Sequence, residues 1–469
     1  MKTIAVINTL ASVYSAHREY SGFFGKIRTA EWSNTFISPA VLLIATILKN
    51  AGHSVKIYND LQNEIDPEKM NEEVILISSI TPSSGRAYEI AKMFPGRKII
   101  MGGVHVSVLP EEAAEYADHV VVGECDHILV DLVEGRIKDK IVYGDRIQNL
   151  DELPFLDYSL LKNLPDILPV QTSRGCNFKC NYCTIASMYG NYRFRSPGNI
   201  IRELLNYREK YGEIPKIDFR IDADFTFIRK RALEILNHMK AEGIKPKVIV
   251  ANSRLQVFHD RELLKSLSEQ NVTLCIGIES LSQNVLDSYQ KEQKETEILE
   301  AIKTFHDYNI KVMGYFIFGA DQDDRDTLKR YSDFIHKSDI DLFQVSLLTP
   351  YPGTELFKEM LIRKRLFTTD WNYYDGAHIT FRPAQMTAIE LQKAYFDFYK
   401  KEFSFKCLLN PGILFNPEIL RNKLFFYSFR KMFTKDIIDY YSFIDTNSCN
   451  TVSTKFLNSS KLNHSEIAL

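Results

Sequence analysis

The chain has 469 residues, of which 45% are hydrophobic and 25% are charged, and its formal net charge is −2. This length and composition predict a folded protein of two or three domains and exclude a disordered or collagen-like chain. The near-neutral charge argues against electrostatic binding of nucleic acid. Seven cysteines, an odd number in a long chain, argue against a disulfide-stapled secreted protein.

Two apolar stretches near the start of the chain raise the question of a targeting or membrane segment. Ile4–Ile7 is short and β-branched, which favours a buried strand over a signal peptide. Ile37–Leu48 is shorter than the roughly 20 residues that span a bilayer, and it contains Pro39. We therefore expect a cytoplasmic protein.

Residues 1–150 alternate between strand and helix patterns, which predicts a Rossmann-like, mainly parallel sheet. The predicted strands are Thr3–Ile7, Ser54–Tyr58, Val74–Ser78, Lys98–Met101 and His119–Val122, and the helices are Ala40–Lys49, Arg86–Phe94 and Pro110–Tyr116. Ligands of such sheets bind beyond the carboxyl ends of the strands. Gly102, Gly103 and Gly123 follow two of these strands, so we expect them at a ligand-binding edge or, alternatively, in plain turns.

A proline-containing linker over residues 151–169 precedes a second strand–helix series. The predicted strands of this series are Val170–Ser173, Ile217–Ile221, Val248–Ala251, Thr273–Ile278, Lys311–Phe318 and Asp341–Leu348, with helices at Arg231–Ala241, Arg261–Gln270, Glu295–Tyr308 and Arg325–Lys337. Six repeats are fewer than the eight of a closed barrel, so residues 170–383 are predicted to form a partial (β/α)6 TIM-type barrel. Residues 384–469 are predicted to be mainly helical.

Three cysteines, Cys176, Cys180 and Cys183, lie within eight residues directly after the first predicted strand of the barrel. Thiolates this close together can ligate one metal centre. A closed structural zinc site needs four ligands, and no nearby cysteine or histidine supplies the fourth. The spacing therefore predicts a [4Fe–4S] cluster with one open iron.

The spacing Cys-x3-Cys-x2-Cys, with Tyr182 before the last cysteine, resembles the signature of radical S-adenosylmethionine (SAM) enzymes. Further segments similar to that family follow successive strands: 222–225, 253–254, 277–280 and 314–319. The resemblance implies that SAM binds the open iron and is cleaved to a 5′-deoxyadenosyl radical. It implies that Arg254 pairs with the SAM carboxylate, Glu279 with its ammonium or ribose, and Gly319 with the adenine edge.

The stretches 101–112 and 121–124 resemble the cobalamin-binding domain that is fused to one large radical SAM subgroup, and 351–354 resembles the end of that subgroup's barrel. The resemblance implies a cobalamin site lined by Thr81, Gly102, Gly103 and Ser107. The Asp-x-His-x-x-Gly box of many cobalamin proteins is absent, and 15–20 is its nearest counterpart. Loss of cobalamin is the alternative. Cys125 stands where similar proteins carry glycine, which we interpret as a packing change rather than a cobalt contact.

Aromatic residues alternate with lysines and arginines over 395–406 and 421–435. A helical cap packed on the barrel accounts for this pattern, and so do peripheral membrane contact and RNA binding. No nucleic-acid partner is expected on balance.

The resemblance implies a cobalamin-dependent radical SAM methyltransferase that acts on an unactivated carbon of a small, lipophilic metabolite, with flavodoxin or ferredoxin as electron donor. An oxidative cyclase or rearrangement enzyme is the alternative within the family, and a non-catalytic corrinoid or redox sensor is the alternative outside it. A methylthiotransferase would need three more cysteines in the first domain, where only Cys125 occurs.

Overall fold

The computed structural model describes residues 1–9, 38–60, 65–404, 439–453 and 456. It contains two six-stranded parallel sheets in sequence, one in each half of the chain, together with a short two-stranded ribbon.

The first sheet contains strands β1 to β6 in the order β2-β1-β3-β4-β5-β6, all parallel. These strands are β1 (Thr3–Asn8), β2 (Ser54–Asn59), β3 (Val74–Ser78), β4 (Lys98–Gly102), β5 (His119–Gly123) and β6 (Ile141–Gly144). The helices of this half are α1 (Pro39–Asn50), α2 (Ser84–Lys92), α3 (Val104–Val108), α4 (Pro110–Ala113) and α5 (Leu129–Glu134). Separate apolar clusters lie on the two faces of the sheet, so its strands are buried on both sides.

The strand order of the first sheet reverses between β1 and β3, which creates a topological switch point there. This order is the flavodoxin-type version of the doubly wound fold, with β6 added at the far edge, and it confirms the predicted Rossmann-like class. Ligands of doubly wound sheets bind beyond the carboxyl ends of the strands on either side of such a point.

The second sheet has the order β14-β13-β12-β11-β10-β7, so neighbouring strands follow one another along the chain. The strands are β7 (Leu168–Pro169), β10 (Ile217–Asp218), β11 (Ile249–Ser253), β12 (Val272–Glu279), β13 (Lys311–Phe318) and β14 (Leu342–Leu347). A ribbon of β8 (Ser173–Arg174) and β9 (Arg193–Phe194) lies beside it and is antiparallel. Six consecutive parallel strands confirm the predicted open, partial barrel.

The helices of the second half are packed against this sheet around the largest apolar cluster of the chain. They are α6 (Thr184–Tyr189), α7 (Pro197–Tyr211), α8 (Arg229–Ala241), α9 (Arg261–Glu269), α10 (Gln283–Ser288), α11 (Ile298–Asp307), α12 (Thr327–Ser338), α13 (Glu355–Ile362) and α14 (Ala388–Glu402). Residues 439–447 are also helical.

The first part of the aromatic and basic C-terminal region is a cap on the barrel. Tyr395, Phe396 and Phe398 of α14 are buried, and the ring of Phe343 in β14 stacks on that of Phe403 with centroids 5.6 Å apart. The second aromatic stretch, over 421–435, lies outside the described residues.

The first predicted barrel strand, Val170–Ser173, differs from the structure. The structure instead has β7 two residues earlier and β8 at Ser173–Arg174. The backbone N–H groups of Thr172 and Ser173 donate to the Asp222 carboxylate at 2.8 and 2.9 Å rather than to a neighbouring strand. At this point the buried Asp222 carboxylate accepts the backbone hydrogen bonds that a neighbouring strand would otherwise accept.

Candidate active site

The cysteine loop begins at the end of β8 and ends at the start of α6. Gly175 opens the loop with a positive φ of 87°, and an added Cβ would lie 2.3 Å from the Asn191 carbonyl oxygen, so this position requires glycine. The N–H of Cys176 donates to the Gly190 carbonyl at 3.0 Å, and that of Cys183 donates to the Cys180 carbonyl at 3.1 Å. All three thiols are half-buried.

Asn181 anchors the middle of this loop to two distant elements. Its backbone N–H donates to the Tyr289 carbonyl at 3.3 Å, and its side-chain Nδ2 donates to the Ser288 carbonyl at 2.9 Å. Its own carbonyl accepts the N–H of Leu356 at the start of α13 at 3.0 Å. The ring of Tyr182 meets that of Tyr289 edge-on, with centroids 5.1 Å apart. The loop is therefore held in place from both of its sides.

The cysteine thiols need a positive partner to ionise. Burial raises the pKa of Cys183 to about 11 and also raises the pKa of Cys176. Iron supplies that charge in a thiolate-bound cluster. Across the part of the chain that the structure describes, no group of three or more His, Cys, Asp or Glu residues suits a single metal ion. Three thiols on separate corners of a cluster do not need to converge on one point, so the residues fit a [4Fe–4S] group.

Arg254 lies directly against the cysteine loop. Its guanidinium carbon is 3.6 Å from the ring centroid of Phe178, which stands between Cys176 and Cys180. Its Nη2 donates to the backbone carbonyls of Lys291 and Glu292. The structure thus brings Arg254 beside the predicted cluster, where a guanidinium can pair with a carboxylate.

Glu279 ends β12 in a left-handed conformation, with φ of 62°. Its Oε1 accepts from Nζ of Lys291 at 2.7 Å, and their side chains are only 10% and 9% exposed. An added Cβ at Gly277 would lie 2.3 Å from that same Oε1, so the glycine makes room for the pair. Lys291 was not predicted from the sequence, because nothing in its local pattern distinguishes it from a surface lysine.

Gly319 lies further from these groups, at the end of β13. Its φ of 117° favours glycine, and the nearest atoms to an added Cβ belong to Leu391, Leu348 and Phe381. Its N–H donates at 2.8 Å to Oδ2 of Asp323, which also accepts the N–H of Ala320. Burial raises the pKa of Asp323 to about 6. The predicted contact of Gly319 with adenine stays a prediction.

Oδ1 of Asn181, in the cysteine loop, and Oε1 of Gln256 are among the buried polar atoms that have no hydrogen-bond partner in the described residues. Nε2 of Gln256 binds the same Glu292 carbonyl as Arg254 does, at 2.6 Å. Buried polar atoms without partners are costly in an empty protein, so their presence fits a polar cofactor such as SAM.

The edge of the first sheet forms an open cleft. Apolar side chains from the strand ends and from α1 line its inner wall, and glycines line its rim. The lining residues are Val6, Ala40, Leu43, Ile44, Leu76, Ile77, Ser78, Ile100, Met101, Gly102, Gly103, Val121, Gly123, Glu124, Cys125, Asp126, Leu129, Gln171, Arg174, Met188 and Tyr189. Four of them belong to the second half of the chain.

Gly102 and Gly103 line this cleft, as the sequence predicts, whereas Thr81 and Ser107 are not among its described lining residues. The Ser107 hydroxyl donates to the Gly103 carbonyl at 2.8 Å and accepts the Gly123 N–H at 3.0 Å. Ser107 therefore holds Gly103 and Gly123 in place by hydrogen bonds without lining the cleft itself. Thr81 is buried in a short 3₁₀ turn.

The apolar and glycine lining of the cleft fits the broad apolar face of a flat macrocycle such as the corrin ring of cobalamin. No histidine is among its lining residues in the described ranges, and residues 15–20 lie outside those ranges. Burial raises the pKa of Cys125 to about 12, so this thiol stays neutral and packs as a small apolar side chain.

An interface ion cluster of Glu124, Asp126, Arg174 and Arg193 joins this cleft to the cysteine loop. Arg174 Nη1 donates to Glu124 Oε2 at 3.0 Å and to Asp126 Oδ2 at 2.9 Å, and Arg193 Nη2 donates to Glu124 Oε1 at 2.5 Å. All four side chains are at most 10% exposed. Arg174 lies two residues before Cys176. The cluster therefore fixes the cysteine loop relative to the cleft.

A second polar contact joins the two halves on another side. Nε1 of Trp371 donates to the Glu112 carboxylate at 3.0 Å, and Nε2 of His105 lies 3.3 Å from the same carboxylate. Polar side chains of the two domains therefore also meet away from the interface ion cluster.

Two family models match the chain. The Radical SAM superfamily model matches residues 170–335, and the B12 binding domain model matches residues 25–133. An uncharacterized methyltransferase of Pyrococcus horikoshii is 30% identical over 391 residues, which cover 74% of this chain and 84% of that relative. The bacteriochlorophyllide d C-12(1)-methyltransferase of Chlorobaculum tepidum is 28% identical over 364 residues, which cover 74% and 78%.

Two solved structures share the fold. The cobalamin-dependent S-adenosylmethionine radical enzyme OxsB, with aqua-cobalamin and S-adenosylmethionine bound, aligns with a TM-score of 0.66 and 13% identity over 98% of this chain and 78% of its own. The radical S-adenosylmethionine methyltransferase TsrM from Kitasatospora setae, with tryptophan substrate and a SAM analogue, aligns with a TM-score of 0.59 and 15% identity over 70% and 74%.

Proposed function

The chain belongs to the radical SAM enzymes that carry a B12-binding domain, and we propose that it methylates an unactivated carbon of a small molecule. Its cofactors are a [4Fe–4S] cluster, SAM and cobalamin. When bound, the cluster and SAM supply a radical that removes a hydrogen atom from the substrate, and cobalamin supplies the methyl group.

One observation supports methyl transfer most directly. The cleft at the edge of the first sheet is closed on one side by Gln171, Arg174 and Tyr189 of the barrel half. The cysteine loop starts within two residues of Arg174, so the two cofactor sites lie beside each other. A methyl carrier is useful only if the substrate radical forms next to it.

We propose the following roles for the residues of the site. Cys176, Cys180 and Cys183 hold the cluster, and the carboxylate of SAM pairs with Arg254, which lies against the loop. Glu279 accepts from the SAM ammonium or ribose, with Lys291 fixing the orientation of the carboxylate at 2.7 Å. The glycine rim admits cobalamin to the cleft.

We further propose that flavodoxin or ferredoxin supplies the electron. Asn177 and Lys179 are the exposed residues of the cysteine loop. A cluster held there would lie close to the surface, and Lys179 suits an acidic reductase partner. If neither flavodoxin nor ferredoxin supports activity, while dithionite alone does, this route is contradicted.

No helix in the described ranges has the length and apolar character needed to cross a membrane. We propose a cytoplasmic location, with peripheral membrane contact through the C-terminal aromatic stretch as an option for a lipophilic substrate. Flotation with liposomes tests this option, and deletion of residues 410–469 that leaves flotation unchanged would remove it.

The central test compares metabolite extracts of a deletion strain and its parent. We expect a precursor to accumulate whose mass is one methylene below that of a compound present only in the parent. The purified enzyme, reconstituted anaerobically with cluster, cobalamin, SAM and dithionite, should convert this precursor and release 5′-deoxyadenosine. A product that has lost hydrogens without gaining carbon would identify an oxidative cyclase instead. Absence of 5′-deoxyadenosine under all conditions would favour a non-catalytic sensor.

A further inference from the structure

The interior of the half-barrel differs from that of a closed barrel, which bulky branched side chains normally fill. Side chains of alternate residues on a strand point to opposite faces. Ile217 on β10, Phe219 directly after this strand, and Leu274 and Ile276 on β12 are buried in the apolar cluster beneath the helices. Residues of the other parity therefore face the interior of the half-barrel.

These inward-facing residues make the interior partly exposed and partly polar. They are Asp218, Arg220, Val250, Asn252, Thr273, Cys275, Met313, Tyr315, Ile317, Leu342, Gln344 and Ser346. Cys275 is buried, whereas the inward-facing residues of the inner strands β11 to β13 are only half-buried: Val250, Asn252, Thr273, Met313, Tyr315 and Ile317. Arg220, directly after β10, and Gln344, on the edge strand β14, are exposed. Side chains that filled a closed core would be buried throughout.

Arg220 is the cation of this interior. Its Nε and Nη2 donate to the Asp218 carboxylate at 2.9 and 2.6 Å, and its side chain remains 37% exposed. Pairing with Asp218 raises the pKa of Arg220, and the side chains of Cys275 and Tyr315 lie close enough to the guanidinium to interact with it. Because Asp218 occupies one edge of the guanidinium, the Nη1 side is not engaged by this carboxylate.

Tyr315 supplies a second donor. Burial raises the pKa of this tyrosine, so its hydroxyl remains protonated and able to donate. It pairs in register with Gly277 on one side and Gln344 on the other, and Gly277 lies directly beneath the Glu279–Lys291 pair. A molecule in the interior would thus have the hydrogen-bond donors of Arg220 and Tyr315 deeper in the barrel. Above it would lie the edge of the second sheet, where the cofactor is proposed to bind. Met313, Ile317 and Leu342 offer apolar surface between the two.

We propose that this interior binds the substrate by a carboxylate, which Arg220 and Tyr315 recognise, while the apolar skeleton lies along Met313, Ile317 and Leu342. This proposal rests on the proposed function and names the class of its substrate as a carboxylic acid with an apolar skeleton. A guanidinium can hold a second carboxylate on the edge opposite Asp218.

The test uses the reconstituted holoenzyme and a metabolite extract from a strain that lacks the gene. One half of the extract is treated with a reagent that converts carboxylic acids to methyl esters. Formation of 5′-deoxyadenosine is measured with each half, and compounds retained by the protein in equilibrium ultrafiltration are identified by mass spectrometry. We expect the untreated extract to stimulate 5′-deoxyadenosine formation, and the esterified extract to stimulate it about 10-fold less or not at all.

The variants sharpen this test. Arg220→Gln should lose stimulation and retention of the acid about 10-fold, Arg220→Lys should lose less, and Tyr315→Phe should lose a few-fold, because each removes fewer donors. Arg229→Gln is the matched control, since Arg229 is an exposed arginine on α8 paired with Asp260 and Glu262. It should behave as the parent protein does.

The outcomes separate this proposal from the proposed function. If the esterified extract stimulates and is retained as well as the untreated one, or if Arg220→Gln matches Arg229→Gln, the carboxylate proposal is wrong while the methyltransferase stands. If no extract stimulates 5′-deoxyadenosine formation, the proposed function fails, and retention of an acid by the parent protein but not by Arg220→Gln still decides whether the interior binds carboxylates.

Discussion

The two sheets of this protein end in edges of opposite character. At the edge of the first sheet the cleft has apolar walls and a glycine rim, and hydroxyls such as that of Ser107 are satisfied within the protein. At the edge of the second sheet stand three thiols, the buried pair of Glu279 and Lys291, and polar atoms without partners. The first edge thus offers an apolar surface with closely accessible backbone, and the second offers charged and polar groups.

This difference matches the ligand that we propose for each edge. A large ligand with much apolar surface is held by burial and by close approach of the backbone, which needs glycine more than charge. A cluster and a small zwitterion are held by ligation and ion pairs, which need charged groups preorganised by neighbours. The interface ion cluster is the place where the two kinds of edge are fixed to one another.

The largest expected effect comes from removing a cluster ligand at the second edge. Cys180→Ala should abolish iron binding and 5′-deoxyadenosine formation, a loss beyond the ~10–100-fold that follows removal of an outer partner of a metal ligand. Iron and sulfide content and product formation measure this effect. Cys449→Ser, at an exposed cysteine, is the control and should retain both. A Cys180→Ala protein with full iron content would overturn the assignment of the cluster.

The next effect concerns the connection between the edges. Glu124→Gln removes the charge that faces Arg174 and Arg193, and breaking a buried ion pair should lower the free energy of unfolding by about 3–5 kcal/mol. It should also raise the amount of 5′-deoxyadenosine released per methylated product, because the cysteine loop shifts relative to the cleft. Urea unfolding and quantification of both products provide the measurements.

Glu203→Gln is the matched control for this prediction. Glu203 pairs with Arg195 at 2.5 Å inside the barrel half, and both side chains are buried. This variant should lose comparable stability and leave the product ratio unchanged. If both variants change the ratio of 5′-deoxyadenosine to methylated product equally, the interface ion cluster contributes only to stability.

A smaller effect tests the buried charge at the second edge through pH. Burial raises the pKa of Asp323 to about 6, so the folded protein binds a proton there more tightly than the unfolded chain does. The contribution of Asp323 to stability is therefore greatest below pH ~4 and is lost as the pH rises to ~6, by about 3 kcal/mol.

Asp323→Asn removes this titration and keeps an oxygen that can accept the N–H groups of Gly319 and Ala320. The stability of the variant relative to the parent should rise between pH ~4 and ~6 and level off above, when both are unfolded in urea. A relative stability that is independent of pH, or that falls over this range, would show that the carboxyl is not perturbed.

The smallest effect tests the first edge. Gly103 has a φ of 110°, and an added Cβ would lie 2.3 Å from the Ser79 carbonyl oxygen, so Gly103→Ala should cost about 1–3 kcal/mol of stability and displace the rim. At Gly102 the nearest atom to an added Cβ is 3.9 Å away, so Gly102→Ala should fold normally. Unfolding in urea and retention of hydroxocobalamin are measured for both. Equal free energies of unfolding for the two variants would show that the backbone conformation at Gly103 does not require glycine.

Much of the fold was predictable because its signals are local. Short apolar strands alternating with helices gave strand positions within about two residues for most of both sheets, and β13 was predicted as observed. The exceptions were set by distant groups. β6 pairs only at the edge of its sheet with a half-buried pattern, and the strand predicted at Val170–Ser173 is displaced by the carboxylate of Asp222.

For the candidate site, the sequence by itself determined the three cysteines, the glycine rim and the family, because ligand spacing and turn glycines are read along the chain. Only the tertiary structure decided that Lys291 pairs with Glu279, that Glu124 bonds to Arg174 next to the cysteine loop, and that the inward-facing residues of the half-barrel are only half-buried. These contacts join residues 12 to 69 positions apart or depend on which face of a strand is covered. Periodicity and spacing along the chain do not predict such contacts, because they form only when folding brings distant residues together in the buried core.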